Sequence, residues 1–159
     1  MRRAGLVAAF GLATAGCGGS DFSKAGWHYN KAAVSLGYRA TEGRGPDSAF
    51  LGLKCESNIV FAVIHGGYGN SVSSFIVSAG TWRKTYSAFR GVEGRALIFP
   101  GTSPSPDGDR LAAGLAAGQG ITIRADDGWT LSVPGDPVVG QFVKDCGVVN
   151  ARRRALADG

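Results

Sequence analysis

The sequence predicts a mainly β domain: an antiparallel sheet or sandwich of six to eight strands, with a carboxy-terminal helix packed on it and one disulfide. Three observations support this fold class. Short apolar runs follow one another between residues 49 and 133, separated by turns rich in Gly, Pro and Asp. The chain contains 26 glycines, and glycine weakens helix interiors. A clear helical stripe of apolar residues lies near the carboxy terminus, at 136–146.

The first 16 residues have the order of a secretory signal peptide. Arg2 and Arg3 precede an apolar stretch from Ala4 to Ala13, and small residues follow it. This stretch is well short of the roughly 20 residues that a membrane-spanning helix needs. We therefore expect residues 1–16 to direct export and not to remain as an anchor.

Cys17 follows Ala15 and Gly16, which is similar to the bacterial lipobox, where such a cysteine becomes the lipidated first residue. Thr14 stands where that motif usually has leucine. Lipidation of Cys17 predicts a protein anchored in the inner or outer membrane and facing the periplasm. Ordinary cleavage after Ala15 is the alternative and predicts a soluble periplasmic or secreted protein. The Gly/Ser-containing residues 17–25 predict a flexible tether.

The globular domain is expected over residues 26–147, and its first part is ambiguous. Alternating apolar residues at 34, 36 and 38 suit a strand, whereas Ala32 and Ala33 suit a helix. Runs at 49–55 and 58–65 flank Glu56-Ser57 and predict a hairpin. A loop is expected at 42–47 and a glycine-rich turn at 66–70. The other predicted strands are 73–79, 81–89, 95–99, 120–125 and 129–133.

Turn and capping residues separate the predicted strands and helices in the second half of the chain. Asp126-Asp127-Gly128 is the best hairpin signal in the chain. Asp109 is expected to cap a short helix at 110–117. Asp136 is expected to cap the last helix, with Pro137 at its first position. The apolar pattern decays after Cys146, so residues 148–159 predict a disordered basic tail.

The two remaining cysteines are expected to pair. Cys55 lies on the apolar face of a predicted strand, and Cys146 lies on the apolar stripe of the last helix. An exported protein meets an oxidising compartment in which disulfides persist. A Cys55–Cys146 bond would stabilise the fold by roughly 4–5 kcal/mol in the chain-entropy model. Two buried free thiols, or a metal-binding or catalytic cysteine, are the alternatives.

The net charge of +5 does not indicate nucleic-acid binding. Between residues 18 and 146 there are 12 basic and 11 acidic residues, and the excess lies in the signal and the tail. A nucleic-acid-binding domain is expected to carry its basic patch on the folded part. We therefore expect no nucleic-acid partner.

No catalytic constellation is recognisable. The two histidines are His28 and His65, and no Gly-x-Ser-x-Gly nucleophile elbow accompanies them. Residues 66–69 lack the ending of a phosphate loop, and the aspartates at 107–109 and 126–127 lack the spacing of a calcium loop. The three tryptophans favour core packing over a binding face. We assign no catalytic, cofactor-binding or metal-ligating residue and expect no cofactor.

The arrangement as a whole resembles small uncharacterised exported proteins and lipoproteins of Gram-negative bacteria and, more loosely, exported invasion-associated β-domain proteins. The resemblance rests on the signal with Cys17, on Trp27, on the strand ending at Cys55, and on the stretch from Pro134-x-x-Pro137 through Phe142 to Cys146. It implies a non-catalytic envelope protein that binds another envelope component, protein or polymer. A periplasmic inhibitor or binding module directed at a hydrolase such as lysozyme is the alternative. The oligomeric state stays open.

Overall fold

The structure is a computed structural model that describes residues 24–41, 49–66, 72–90, 96–98 and 106–157. Within these ranges it has ten strands and two helices. The predicted signal peptide, Cys17, the loop at 42–47 and most of the turn at 66–70 lie outside the described residues. The elements are β1 (Gly26–Asn30), β2 (Ser35–Arg39), β3 (Phe50–Cys55), β4 (Ile59–Ile64), β5 (Ser74–Ala79), β6 (Trp82–Ser87), β7 (Phe89–Arg90), β8 (Ala96–Ile98), α1 (Asp107–Ala116), β9 (Ile121–Ala125), β10 (Thr130–Val133) and α2 (Pro137–Ala157).

The strands form two antiparallel sheets, which confirms the predicted mainly β fold. The larger sheet has six strands in the order β1-β2-β3-β4-β8-β7, and the smaller has four in the order β10-β9-β5-β6. The predicted hairpins are present: Cys55 pairs with Ile59 across the β3–β4 turn, and Thr130 pairs with Arg124 beside the Asp-Asp-Gly turn. Gly128 in that turn has a φ of 93°, which glycine adopts without steric cost.

The strand count exceeds the predicted six to eight for two reasons. The ambiguous segment folds as the β1–β2 hairpin, whose turn is held by the Ala33 amide donating to Asn30 Oδ1 at 3.1 Å. The predicted strand 81–89 is divided at Ala88, whose amide donates to the Ser73 carbonyl at 2.8 Å. As a result β6 belongs to the smaller sheet, and β7 joins the larger one.

The core lies between the inward faces of the two sheets. In each central strand alternate residues are buried, as the period of two requires. The Phe61 ring meets the Tyr86 ring edge-on at 5.5 Å between centroids, which joins the larger sheet to the smaller. The largest fully buried side chains are Phe75, Phe142, Leu51, Leu53, Ile98, Leu111, Leu115, Ile121, Ile123, Val63, Val77 and Val133.

Helix α1 begins earlier than predicted, at Asp107, and Pro106 is the residue that precedes it. Asp109 is therefore not the cap; its side chain accepts a hydrogen bond from the Ile59 amide at 3.0 Å. Gly108 lies so close to β4 that a Cβ there would be 1.8 Å from the Ile59 carbonyl oxygen. Glycine at this position is what lets the first turn of α1 approach the sheet.

Helix α2 is linked to β3 by the predicted disulfide, which is present between Cys55 and Cys146 with an S–S distance of 2.05 Å. Asp136 caps the helix as predicted, because its Oδ1 accepts the Val138 amide at 2.8 Å. The expectation of a disordered tail is wrong for residues 148–157, which continue α2. Asn150 and Arg153 donate to the carbonyls of Ser57 and Glu56 and so attach this part to the β3–β4 turn.

No helix among the described residues combines the length and apolar character that crossing a membrane needs.

Candidate functional site

Both histidines are buried in structural positions. His65 is 5% exposed, and both of its ring nitrogens are inaccessible to solvent. Its Nε2 lies 3.1 Å from Asp127 Oδ2, and its ring lies 4.5 Å from the Trp129 ring. The Nε2 of His28 lies 2.7 Å from the Lys24 carbonyl oxygen. Both imidazoles thus contact neighbouring groups of the protein and are largely closed to solvent.

Asp107 forms a second buried polar cluster. Asp107 is 6% exposed. Its carboxylate accepts hydrogen bonds from Lys84 at 2.5 Å and from Tyr86 at 2.9 Å. Burial, and then the bond to Asp107, raises the pKa of the Tyr86 hydroxyl above its usual value. The cluster connects α1 to β6. Lys84 lies on the side of β6 that also carries Tyr86, and its side chain is 48% exposed.

Two other carboxylates join elements at the surface. Asp145 on α2 accepts the Tyr29 hydroxyl of β1 at 2.6 Å, and this bond lowers the pKa of Asp145. Burial, together with the same bond, raises the pKa of Tyr29. Asp126 accepts the hydroxyl and amide of Ser73, which lowers the pKa of Asp126. These contacts fix β1 to α2 and β5 to the β9–β10 turn.

The described residues do not bring together three histidine, cysteine or acidic side chains at distances that would hold a metal ion. The three tryptophans pack against the core while remaining partly exposed. Trp27 also donates from Nε1 to the Pro134 carbonyl at 3.1 Å, beside the start of α2. These positions agree with core packing.

The remaining candidate is the face of the larger sheet that points away from the core. Register places Gly37, Gly52 and Ala62 side by side across β2, β3 and β4. The same registers place Phe50 beside Ile64 in the next row and Lys54 beside Val60 in the row on the other side. We call this surface the outer sheet face. Its members are Gly37, Arg39, Phe50, Gly52, Lys54, Val60, Ala62 and Ile64, with Phe89 two strands beyond Ile64 in the same row. Gly37 is buried beside His28 of β1, so the exposed part of the face begins at β3.

The outer sheet face is apolar at its centre. The Phe50 ring lies over Gly52, since a Cβ there would be 2.8 Å from the ring. The Arg39 guanidinium lies over the same ring, 5.6 Å from its centroid. Val60, Ala62 and Ile64 are half-buried, and Phe89 is 56% exposed. The cationic side chains lie at the margins of the outer sheet face, where Lys54 is paired to Glu56 at 3.1 Å.

Our sequence reasoning missed this surface, although a signal for it exists. Residues 59–64 are Ile-Val-Phe-Ala-Val-Ile, apolar at every position. A strand with one solvated face alternates apolar and polar residues, whereas a continuous apolar run indicates a strand covered on both faces. Among the described residues, the core covers one face of β4, at Ile59, Phe61 and Val63, and leaves the other face half-buried.

Compared with known proteins, the chain matches no protein-family model, no curated protein and no solved structure. The functional assignment therefore depends on the residues and surfaces described above.

Proposed function

We propose that this chain is a non-catalytic exported protein of the bacterial cell envelope, anchored by lipid at Cys17, that binds another envelope protein through the outer sheet face. The observation that carries the proposal is the apolar centre of that face. Val60, Ala62 and Ile64 turn away from the core and are still apolar. Contiguous apolar surface on a soluble domain marks a place where another molecule binds.

The shape and chemistry of the face favour a protein partner over a polysaccharide. Its central row consists of Gly37, Gly52 and Ala62, which offer no side-chain hydrogen-bonding group, and it continues on β1 to His28, which is buried. A sugar polymer needs such groups, whereas a flat apolar surface of another protein needs only shape and burial. Arg39 and Lys54 at the margins would belong to the polar rim of the interface.

The location in the envelope is supported by the chemistry of the cysteines. The Cys55–Cys146 disulfide suits an oxidising compartment such as the periplasm. The charged and apolar order of residues 1–16 and the small residues before Cys17 support export and lipidation. Mass spectrometry of the mature chain tests this part: an unmodified amino-terminal Gly16 would contradict lipidation.

Site-specific photo-crosslinking in living cells tests the binding surface. A photoreactive phenylalanine replaces Phe89 at the margin of the outer sheet face or, as a control, Thr85 on the outward face of the smaller sheet. We expect a discrete protein adduct from position 89 and none from position 85. Equal adducts from both positions, or none from 89, would overturn the proposal.

A matched pair of substitutions sharpens this test. Ile64→Gln lies on the outer sheet face, and Ile76→Gln makes the same change at a half-buried position on the outward face of the smaller sheet. We expect Ile64→Gln to suppress the adduct from position 89 and Ile76→Gln to leave it unchanged. If the crosslinked partner is a hydrolase that this chain inhibits, the role of a hydrolase inhibitor would replace the proposed role.

A further inference from the structure

The carboxy-terminal half of α2 presents a ridge to solvent. Its buried stripe is Val139, Phe142 and Cys146, and that stripe continues through Asn150 and Arg153, which bond to the β3–β4 turn. The opposite side carries Lys144, Val148, Arg152 and Leu156, each four residues from the next and all exposed. Residues four apart lie on one side of a helix, so these four side chains form a continuous ridge.

The ridge alternates cationic and apolar side chains. Leu156 is 84% exposed and Val148 is 46% exposed, which makes them two of the three large hydrophobic side chains most open to solvent in the described chain. Arg152 forms no hydrogen bond or ion pair with any described residue, whereas Arg154 lies with Ser57 and Asn150 on the other side of the helix. The sequence has no acidic residue from 146 to 157. Asp145 and Asp158 flank this stretch in sequence, and the carboxylate of Asp145 is held by Tyr29 and Gln141.

This alternation matches the headgroup region of a membrane. Long cationic side chains lay their methylene stems along apolar surface and keep their charge with the phosphates, while neighbouring apolar side chains enter the acyl boundary. Each Lys or Arg close to an anionic leaflet strengthens binding about fivefold. A protein groove would select an apolar ridge without interleaved cations.

The path of the chain places α2 within reach of a lipid at Cys17. Trp27 of β1 bonds to Pro134 just before α2, so the chain that precedes β1 enters beside the start of this helix. The residues from Cys17 to Gly26 span at most about 30 Å when extended. Helix α2 has 21 residues, and its length is therefore about 31 Å. A membrane that holds the lipid could thus also contact the ridge.

We propose that the ridge formed by Lys144, Val148, Arg152 and Leu156 rests on the surface of an anionic phospholipid bilayer. The proposal rests on the envelope location proposed above but not on the outer sheet face. As a consequence, the domain has one orientation on the membrane, with the ridge facing the bilayer, and does not rotate freely on its tether.

Vesicle sedimentation tests the proposal without the lipid anchor. The chain from residue 17 onward with Cys17→Ser retains every described element, since these lie within 26–157. It is mixed with vesicles of equal phosphatidylcholine and phosphatidylglycerol, or of phosphatidylcholine alone. We expect binding to the anionic vesicles and at least tenfold weaker binding to the neutral ones. Absence of binding to anionic vesicles would overturn the inference and leave the crosslinking result, and hence the proposed function, unaffected.

Matched charge variants distinguish the ridge from general attraction. Lys144→Gln with Arg152→Gln removes both cations of the ridge and should weaken binding to anionic vesicles about 25-fold. Arg83→Gln with Arg124→Gln removes the same charge from exposed positions on the outward face of the smaller sheet and should change binding less than threefold. Leu156→Ser should also weaken binding, because its side chain would no longer enter the bilayer. Equal loss from these two double variants would overturn the assignment to the ridge.

Discussion

The ammonium group of Lys84 lies 2.5 Å from the carboxylate of Asp107, across the space between β6 and the first turn of α1. β6 is an edge strand of the smaller sheet, and Lys84 is on its inward side, beside Tyr86 and opposite Val77. An inward-pointing charge on an edge strand discourages pairing with strands of other molecules. Asp107 makes this placement stable by accepting the charge inside the fold.

Asp107→Asn should lower the free energy of unfolding by about 2 kcal/mol, because it removes a charge-assisted hydrogen bond at a buried site. Lys84→Met should cost less, since its side chain is 48% exposed and the remaining carboxylate keeps the Tyr86 hydroxyl. Urea denaturation of both variants and of the double variant measures the coupling between them. Additive losses in the double variant would show that the two groups do not interact.

The pH dependence of stability should show a loss at high pH. Tyrosines in the unfolded chain ionise near pH 10. The pKa values of Tyr29 and Tyr86 are raised in the folded state, so between pH 10 and those values the folded state binds more protons than the unfolded one. Their contribution is therefore fully present below about pH 10 and is lost as the pH rises through the raised values.

Tyr29→Phe with Tyr86→Phe should flatten this alkaline decline, because phenylalanine has no proton to lose. Urea midpoints at about pH 9 and about pH 11 give the comparison with the unsubstituted chain. The same decline in both proteins would contradict the assignment to these two hydroxyls.

The disulfide should contribute about 4 kcal/mol, because the cysteines are 91 residues apart in sequence and the bond constrains a long unfolded loop. Cys55→Ala with Cys146→Ala should lower the urea midpoint accordingly. A reductant present during unfolding should lower the midpoint of the unsubstituted chain and leave that of the double variant unchanged. Insensitivity of the unsubstituted chain would show that the bond does not form.

Local signals in the sequence predicted those parts of the fold that local interactions determine. The β9–β10 hairpin follows from Asp-Asp-Gly, and the start of α2 follows from Asp136 and Pro137. The β1–β2 turn could not be predicted in the same way. Val34 adopts a φ of 44°, which β-branched residues disfavour, and its carbonyl accepts the Cys55 amide at 3.1 Å. A contact this distant in sequence is not visible in the local pattern.

Contacts between residues distant in sequence also explain why the sequence did not predict the helical tail or the candidate surfaces. Residues 148–157 have no apolar period that predicts a helix, and bonds from Asn150 and Arg153 to the β3–β4 turn hold them in α2. The ridge on α2 exists only because that helix continues past Cys146. The outer sheet face depends on register, which brings Gly37, Gly52 and Ala62 together from three strands.

Two glycine-to-alanine substitutions should have opposite effects on stability, and comparing them tests how closely α1 packs against β4. Gly108→Ala would put a methyl group 1.8 Å from the Ile59 backbone oxygen, which cannot move away without distorting β4. We expect a loss of about 3 kcal/mol. Gly147→Ala adds the same methyl group to an exposed position of α2 with no atom within 4 Å. It should raise stability by about 0.8 kcal/mol through helix propensity alone. Urea denaturation measures both, and an unchanged midpoint for Gly108→Ala would show that α1 does not approach β4 this closely.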